Sequence, residues 1–186
     1  MRLFVAIPVP DEIKQYAYSI KEELKALKGD VKWVEYENYH ITLKFLGEVD
    51  DFKVPKIRNC LSNAAESSEP FNLKLDSMGF FPDRHCPRVL WIGVNGELDK
   101  AHFLGERIDA YLNELDFESE RKRNFHLTLG RIRSEVNQDK IIGKVYAMNQ
   151  KLKNYEFRVE SFALMESYLY PSGPVYKVNH NFVLKG

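Results

Sequence analysis

Apolar and polar positions alternate along much of the chain and predict short strands that are separated by helices. Alternation over a few residues, bounded by glycine or proline, is typical of strands. Strands are therefore expected over residues 2–8, 31–34, 39–46, 71–78, 89–94, 125–131, 157–164 and 175–184. Apolar residues at helical spacing predict helices over residues 11–28, 54–64, 98–115 and 141–148. Residues 79–88 and 170–174 are rich in turn formers and are expected to be loops.

The order and polarity of these elements favour an α+β fold. Several strands alternate in polarity and connect through loops rather than crossover helices, as residues 71–78 and 89–94 do. Such strands are typical of antiparallel sheets with one solvated face. We therefore predict a bilobal molecule in which two sheets, related by a pseudo-two-fold axis and backed by helices, enclose a central cleft.

One tetrapeptide occurs twice, at an interval close to half the chain. The sequence His-Ile-Thr-Leu at 40–43 returns as His-Leu-Thr-Leu at 126–129, 86 residues later in a chain of 186. Both copies lie in predicted strands, where residues i and i+2 share a face. Each strand therefore presents an imidazole beside a hydroxyl, and two such strands facing each other would form a cleft with two histidines and two threonines.

Weaker similarities flank both copies in the same order. The apolar segment at 3–7 corresponds to 90–94, and residues 71–73 correspond to 157–159, at intervals of 87 and 86 residues. Apolar strands resemble one another, so no single match is decisive, but the preserved order favours a duplication. We predict a single domain over residues 1–186, made of two lobes with a repeat offset of about 86 residues.

Composition and charge restrict the class of protein. The chain of 186 residues, 44% of them hydrophobic, suffices for one compact domain or two small lobes, and 27 basic residues balance 27 acidic ones. Proteins that track long nucleic acids usually carry a basic excess, so this protein is expected to hold only a short nucleic-acid end. Zero net charge and the lack of a long helical seam lead us to expect a monomer.

Cysteine content and hydropathy indicate the cellular compartment. Cys60 and Cys86 are too few for a disulfide framework and lack the spacing of metal-binding cysteines. The N-terminal residues show no signal pattern, and no apolar run approaches the roughly 20 residues needed to span a bilayer. We expect a cytoplasmic protein with no membrane partner.

Paired histidines and threonines supply the groups that cleavage of a phosphodiester requires. Imidazole has an ordinary pKa of about 6.5, so one ring can act as a base while the other, protonated, acts as an acid. Threonine hydroxyls can donate hydrogen bonds to phosphate oxygens as charge develops on them. This scheme needs no metal and no other cofactor. A zinc site is the main alternative for paired histidines, but neither a third ligand nor the usual close spacing is evident.

The two motifs resemble those of the 2H phosphoesterase superfamily. The relevant sequences are His-Ile-Thr-Leu-Lys-Phe-Leu-Gly-Glu-Val from residue 40 and His-Leu-Thr-Leu-Gly-Arg from residue 126. More closely, the chain is similar along its length to bacterial and archaeal RNA 2′,3′-cyclic phosphodiesterases, also described as 2′-5′ RNA ligases. The opening Arg-Leu-Phe-Val-Ala-Ile and the Pro-Arg-Val-Leu-Trp at 87–91 share in this similarity. The resemblance implies a duplicated, bilobal α+β fold with the motifs facing across a central cleft.

The resemblance also implies an activity and a role for each motif residue. Family members open a 2′,3′-cyclic phosphate at an RNA or nucleotide end to a 2′-phosphate. By that resemblance, His40 is the proton donor to the departing 3′ oxygen and His126 is the proton acceptor that activates water. Thr42 and Thr128 would bind the phosphate. The donor and acceptor assignment comes from the family alone, because the two copies are nearly the same. Arg131 stands where family members often have an arginine near the phosphate.

Three residues that follow the motif threonines each have two interpretations. Strict alternation places Arg131 on the face opposite the second histidine, so a bulge near Gly130 would have to turn it toward the phosphate; otherwise it is a surface arginine. Lys44 shares the face of the first histidine under alternation, and either reaches the phosphate or lies at the rim. Phe45 either stacks on a terminal base or belongs to the core.

Three functions are compatible with the motifs. The first is a metal-independent hydrolase of 2′,3′-cyclic phosphates, and the second is a 2′-5′ RNA ligase that runs the related transfer in reverse. The third is a module that binds RNA ends or nucleotides without turnover. Histidines in both copies favour an enzyme, since a pure binder needs neither an acid nor a base. Hydrolysis is expected to dominate in water, where the competing nucleophile is abundant.

Overall fold

Nine strands and four helices make up the computed structural model, which describes all 186 residues. The strands are β1 (Arg2–Pro8), β2 (Val31–Trp33), β3 (His40–Glu48), β4 (Phe71–Phe81), β5 (Val89–Gly96), β6 (His126–Ile132), β7 (Glu156–Val159), β8 (Ser161–Tyr170) and β9 (Gly173–Val183). The helices are α1 (Asp11–Lys25), α2 (Val54–Glu66), α3 (Leu98–Leu112) and α4 (Gln138–Asn149). Three short 3₁₀ turns, Tyr36–Asn38, Asp51–Lys53 and Asn113–Leu115, complete the regular structure.

The strands form one curled antiparallel sheet, in the order β7-β4-β5-β6-β3-β1-β8-β9, with β2 alongside β6. The predicted α+β class with antiparallel pairing is confirmed. The two expected sheets are joined at the centre, where the motif strands β3 and β6 pair through Ile41 and Leu127. This pairing sets the two motifs side by side at the middle of the sheet.

Two predicted boundaries are wrong because strand partners decide where a strand ends. The single strand expected over residues 157–164 is divided into β7 and β8, since β7 pairs with β4 whereas β8 pairs with β1. Strand β4 continues to Phe81, where alternation predicted a loop from residue 79, because Phe80 and Phe81 pair with Leu90 and Val89 of β5.

The duplication is visible in the strand pairing, with an offset of 85 residues for the first strand of each repeat. Ile7 of β1 pairs with Ile41, and Ile92 of β5 pairs with Leu127, which is the motif residue equivalent to Ile41. Ile7 and Ile92 are therefore equivalent residues, and they are 85 residues apart. The interval of 87 inferred from the apolar segments alone is therefore wrong. A shift of two residues keeps each side chain on the same face, so apolar alternation alone does not distinguish the two alignments, and the pairing with the motif strands decides between them.

The two repeats exchange strands with each other. Strand β4 ends the first repeat but pairs with β5, the first strand of the second repeat. Strand β8 lies in the C-terminal part of the second repeat, before β9, and pairs with β1, the first strand of the chain. Each half of the sheet therefore contains strands from both halves of the sequence.

The four helices cover one face of the sheet and leave the other face free for the cleft. In α1, Ile13, Ala17, Ile20 and Leu24 form the buried stripe that the helical spacing predicted. They join a continuous core of 41 buried residues from helices and strands. Burial of each large apolar side chain stabilises the fold by about 1.5–3 kcal/mol. None of the helices has the length and apolar character required to cross a membrane.

Candidate active site

Both motifs present their histidine and threonine on the face of the sheet that the helices leave free. Ile41 of β3 and Leu127 of β6 are completely buried in the core. The alternating residues on either side, His40 and Thr42 in β3 and their equivalents in β6, are half-buried on the opposite face. The structure therefore brings together all four side chains that the repeated tetrapeptide predicted.

A backbone carbonyl holds each imidazole by the same ring nitrogen. Nδ1 of His40 lies 2.7 Å from the carbonyl oxygen of Asn38, and Nδ1 of His126 lies 2.6 Å from that of Asn124. A carbonyl oxygen can only accept, so Nδ1 carries hydrogen in both rings. Each Nε2 is therefore the atom that is left to exchange a proton.

The two Nε2 atoms have different surroundings. Nε2 of His40 lies 2.9 Å from the hydroxyl oxygen of Thr42, which donates to it when the ring is neutral. Nε2 of His126 makes no hydrogen bond within the protein. The second ring is thus free to accept a proton from a molecule that enters the cleft.

Burial lowers the pKa of both histidines below the ordinary value. For His40, desolvation is the main cause, and the neighbouring charge of His126 lowers the pKa further, against the opposing effect of the Asn38 carbonyl. For His126, desolvation is again the main cause, and the charge of Arg131 adds to it. Each protonated ring therefore loses its proton more readily than a solvated imidazole does. A lowered pKa keeps the ring that acts as the base neutral, whereas the ring that acts as the acid needs a bound anion nearby to stay protonated.

Aromatic rings enclose each histidine. The ring of His40 packs against Phe4 at 5.0 Å and Tyr176 at 5.4 Å between centroids. The ring of His126 packs edge-on against Phe81 at 5.0 Å. Stacked and edge-to-face neighbours restrict the rotation of an imidazole, so the reactive nitrogens are held in place.

A β-bulge follows the threonine in both motif strands. Opposite β3, the pairing passes from Thr42 to Lys44, and opposite β6 it passes from Thr128 to Gly130. Leu43 is thereby skipped in the pairing of β3 with β1, and Leu129 in the pairing of β6 with β5. A bulge reverses the alternation beyond it, so residues that alternation assigns to one face lie on the other.

The bulge makes the prediction for Lys44 wrong. Lys44 is 3% exposed and pairs with the core residue Val5, so it lies on the helix side of the sheet. Its Nζ donates to Oδ1 of Asp109 at 2.8 Å and to the carbonyl oxygen of Glu118. Both carboxylate oxygens of Asp109 also accept from Arg123, at 2.7 and 2.9 Å. Lys44 is therefore part of a buried ionic cluster with Asp109 and Arg123, away from the cleft.

The same bulges bring Phe45 and Arg131 to the cleft face. Phe45 is 68% exposed, and its ring centroid lies 6.2 Å from that of Phe4, one of the rings that pack on the first histidine. Arg131 lies close to His126 and Tyr176: its charge adds to the burial that lowers the pKa of His126, and it opposes the burial that raises the pKa of Tyr176. The bulge that the position of Arg131 required is present, centred on Leu129 rather than Gly130.

The asparagines that orient the histidines were missed by the sequence analysis. Asn38 and Asn124 are themselves 86 residues apart, so the repeat extends to Asn-aromatic-His-aliphatic-Thr-Leu. Longer comparison of the flanks would have found them, although nothing in the sequence indicates that their backbone oxygens are the functional atoms. Asn38 also donates through its side chain to the carbonyl oxygen of Pro174, at 2.9 Å, and so ties β9 to the first motif. No group of three or more His, Cys, Asp or Glu side chains is placed to hold a metal ion.

Fold and site together define a class of protein, in which each of two repeats contributes a histidine and a threonine to one shared cleft. A family model described as LigT like Phosphoesterase matches the chain twice, over residues 7–91 and 92–176. These matches are 85 residues apart, as the strand pairing is. The chain belongs to the LigT-like phosphoesterase family, in agreement with the resemblance of its motifs to the 2H superfamily.

Several curated relatives, which share one name with each other, match nearly the whole chain. A Methanocaldococcus jannaschii protein named RNA 2′,3′-cyclic phosphodiesterase is 39% identical over 182 residues, which are 96% of this chain and 98% of the relative. Proteins of the same name from Archaeoglobus fulgidus and Thermotoga maritima are 38% and 33% identical, over 95% and 100% of this chain and 97% of each relative.

Solved structures share the fold over the full chain. TT0787 of Thermus thermophilus has a TM-score of 0.83 at 28% identity and covers 100% of this chain and 99% of its own. LigT of E. coli, described in complex with 3′-AMP, has a TM-score of 0.78 at 23% identity and covers 100% and 98%. The second likeness concerns the fold alone.

Proposed function

We propose that this protein hydrolyses 2′,3′-cyclic phosphodiesters at RNA or nucleotide ends to 2′-phosphomonoesters, with His40 and His126 as the catalytic acid and base. One observation carries the proposal: two imidazoles are held by Nδ1 on backbone carbonyls, so both present Nε2 to one cleft. The names of the curated relatives support the substrate class.

The proposed reaction is an in-line displacement at phosphorus. Nε2 of His126 takes a proton from water as the water oxygen bonds to phosphorus. The bond from phosphorus to the 3′ oxygen breaks, and Nε2 of His40 gives its proton to that oxygen. The greater enclosure of His40 and the unbonded Nε2 of His126 support this division, since the nucleophilic water needs access to its base.

Charge on the phosphate is stabilised by Thr42, Thr128 and Arg131 in this proposal. Both hydroxyls share a face with the histidines, and the Arg131 guanidinium lies near the second histidine, His126. Donors aimed at the phosphate oxygens are worth most in an enclosed site. Phe45, exposed beside Phe4, is proposed to stack on the terminal base.

The proposed enzyme works as a cytoplasmic monomer without a metal or other cofactor, because the two imidazoles suffice for both proton transfers. Its partner is a short RNA end or a nucleotide. This accords with a chain whose 27 basic and 27 acidic residues balance, and which lacks the basic excess of proteins that track long nucleic acids.

The testing experiment uses a short RNA ending in a 2′,3′-cyclic phosphate, with a chelator present, and separates 2′- from 3′-phosphate products. His40→Ala and His126→Ala are each expected to lower kcat by about 10²–10⁴-fold, the usual contribution of an acid or base. His180→Ala, an exposed histidine that pairs with the core residue Leu164, is the matched control and should retain activity. Binding without turnover in the unmodified protein would instead support a binding module.

A further inference from the structure

Two cations lie directly opposite each other on the cleft face of the sheet. Lys32 of β2 pairs with Arg131 of β6. A Cβ atom added to Gly130 would come within 2.8 Å of Val31 and 3.0 Å of Trp33, so these two residues of β2 share the helix side with Gly130. Both of them pack against the core. Because side chains alternate along a strand, Lys32 points the other way, into the cleft beside Arg131.

No carboxylate offsets these two charges. Neither Lys32 nor Arg131 takes part in any of the ion pairs within the protein. Like charges directly opposite each other on neighbouring strands destabilise a sheet. The chain as a whole carries 27 acidic and 27 basic residues, so a general shortage of carboxylates does not explain why this pair has none. An anion bound between the two side chains would remove the repulsion.

The ammonium group of Lys32 is held in one position by the turn between β8 and β9. Its Nζ donates to the carbonyl oxygen of Ser172 at 3.0 Å. Gly173 of the same turn has a φ of 127°, and a Cβ atom added there would lie 3.3 Å from Nζ. An ammonium has three N–H donors, so the contact with Ser172 leaves two of them for a ligand. The turn therefore positions Lys32 without neutralising its charge.

This pair of cations is separated from the catalytic groups by a short length of strand. Arg131 follows Thr128 by three residues in β6, and a strand rises about 3.3 Å per residue, so the two lie about 7–10 Å apart along the strand once the bulge is allowed for. A single ribose can span that separation. Lys32 and Arg131 are therefore placed to reach a second phosphate when a first phosphate lies between the histidines.

The two ends of the cleft differ in chemistry. Phe45 follows His40 by five residues, and Arg131 follows His126 by five. Because β3 and β6 are antiparallel and pair at the centre of the sheet, Phe45 and Arg131 lie toward opposite ends of the cleft. A ribose carries its base and its 5′ oxygen on opposite sides of its 2′,3′ edge. A nucleotide with its cyclic phosphate at the histidines and its base on Phe45 therefore directs its 5′ oxygen toward Arg131 and Lys32.

We propose that Lys32, together with Arg131, binds the phosphate on the 5′ oxygen of the terminal nucleotide, so that the enzyme selects RNA ends over nucleoside 2′,3′-cyclic phosphates; this inference rests on the proposed function. In RNA, this phosphate joins the terminal nucleotide to the rest of the strand. A free nucleoside 2′,3′-cyclic phosphate has a hydroxyl in its place and leaves the two cations unpaired. One such contact suffices to recognise an end, which accords with a chain that has no basic excess.

The decisive assay compares 2′,3′-cyclic AMP with the same compound bearing a phosphate on its 5′ oxygen. The 5′-phosphorylated substrate is expected to have a kcat/KM about 10-fold higher, which is the contribution of one charge-assisted hydrogen bond. Lys32→Gln should remove this preference and leave hydrolysis of 2′,3′-cyclic AMP within about twofold, whereas Lys32→Arg keeps the charge and should keep the preference. Lys144→Gln, at an exposed position of α4 on the other face of the sheet, is the matched control.

A dinucleotide that ends in a 2′,3′-cyclic phosphate identifies the source of the bound phosphate. It carries the same phosphate as a diester, so it should share the preference and lose it in Lys32→Gln. A dinucleotide hydrolysed no faster than 2′,3′-cyclic AMP would overturn the assignment to RNA. Equal kcat/KM for 2′,3′-cyclic AMP and its 5′-phosphorylated form, or an equal loss for both in Lys32→Gln, would overturn the subsite itself.

Product binding, measured by calorimetry, tests the subsite without any turnover. Adenosine 2′,5′-bisphosphate is expected to bind about 10-fold more tightly than 2′-AMP, and Lys32→Gln should make the two Kd values equal. Equal Kd values in the unmodified protein would contradict the subsite. Failure to hydrolyse any cyclic substrate, alongside a preference for the bisphosphate that depends on Lys32, would instead remove the proposed function and retain the subsite.

Discussion

At the residue scale, the two histidines have the same anchor and different environments. Each Nδ1 is held by the carbonyl of the asparagine two positions earlier, which fixes the tautomer. Beyond that, His40 lies among aromatic rings and bonds to Thr42, whereas Nε2 of His126 is unbonded. A symmetrical motif can therefore supply an acid and a base, because the surroundings rather than the motif separate their roles.

The lowered pKa values predict the pH dependence of catalysis. The base His126 must be neutral, so kcat/KM rises as the pH rises through the pKa of His126. The acid His40 must be protonated, so kcat/KM falls as the pH rises through the pKa of His40. Both values lie below the ordinary 6.5, so kcat/KM of the free enzyme should decline above about pH 6.5. A bound phosphate anion favours protonated His40, so kcat should persist to higher pH. A flat profile of kcat/KM from pH 6 to about 9 would contradict this division of roles.

Arg131 offers a second test at this scale. Its positive charge lowers the pKa of His126, so Arg131→Ala should raise that pKa and move the acid limb of the kcat/KM profile to higher pH. Loss of a phosphate-binding donor should also lower kcat by about 10²-fold. Arg131→Lys keeps the charge and should keep the position of the acid limb. An unshifted limb in Arg131→Ala would place the guanidinium away from the site.

At the element scale, one bulge in each motif strand decides which side chains reach the cleft. The bulge at Leu43 directs Lys44 to the helix side of the sheet and Phe45 to the cleft. The bulge at Leu129 likewise places Gly130 on the helix side and Arg131 on the cleft side. Lys44 then contributes to the cluster with Asp109 and Arg123, in which all three side chains are at most 8% exposed. Arg123 also donates to the carbonyl of Leu43, so the cluster connects the first bulge to the segment before the second motif.

Asp109 is predicted to be the critical member of this cluster. Asp109→Ala leaves two buried cations without a counter-ion and should lower the free energy of unfolding by about 3–5 kcal/mol. Burial alone would raise the pKa of Asp109, but hydrogen bonds from Arg123 and Lys44 outweigh it and hold the pKa below the ordinary value. The contribution of the Asp109 charge to the free energy of unfolding is therefore complete above about pH 4, and it is lost as the pH falls through the lowered pKa.

Urea titration of the Asp109 variant and of Glu106→Ala, an exposed residue of the same helix, gives the comparison. The control should change the free energy of unfolding by less than about 0.5 kcal/mol. Equal stabilities for the two variants would show that the cluster contributes no net stability.

At the scale of the whole molecule, the exchange of β4 and β8 makes the repeats interdependent. Each repeat places a strand from its C-terminal part, β4 or β8, beside the first strand of the other repeat, and one core of 41 residues underlies both. Separation would expose unpaired strand edges and the apolar face beneath them. The sequence repeat is therefore not a folding unit by itself.

Expression of residues 1–88 and 89–186 as separate chains tests this interdependence. Neither chain is expected to show a cooperative thermal transition by circular dichroism, because each lacks the partner of a central strand. Mixing equal amounts should restore a single cooperative transition. A cooperative transition in the first chain alone would mean that β4 finds a different partner when β5 is missing.

The sequence by itself determined the α+β class, the duplication, and the two histidines and two threonines that the structure brings to one cleft. These depend on local alternation and on a repeated tetrapeptide, both of which can be read without knowing which strands pair. The positions of Lys44, Phe45 and Arg131 and the division of β7 from β8 were decided only by the tertiary structure. Bulges, strand partners and the cover supplied by β9 arise from contacts between distant segments, and local periodicity carries no information about them.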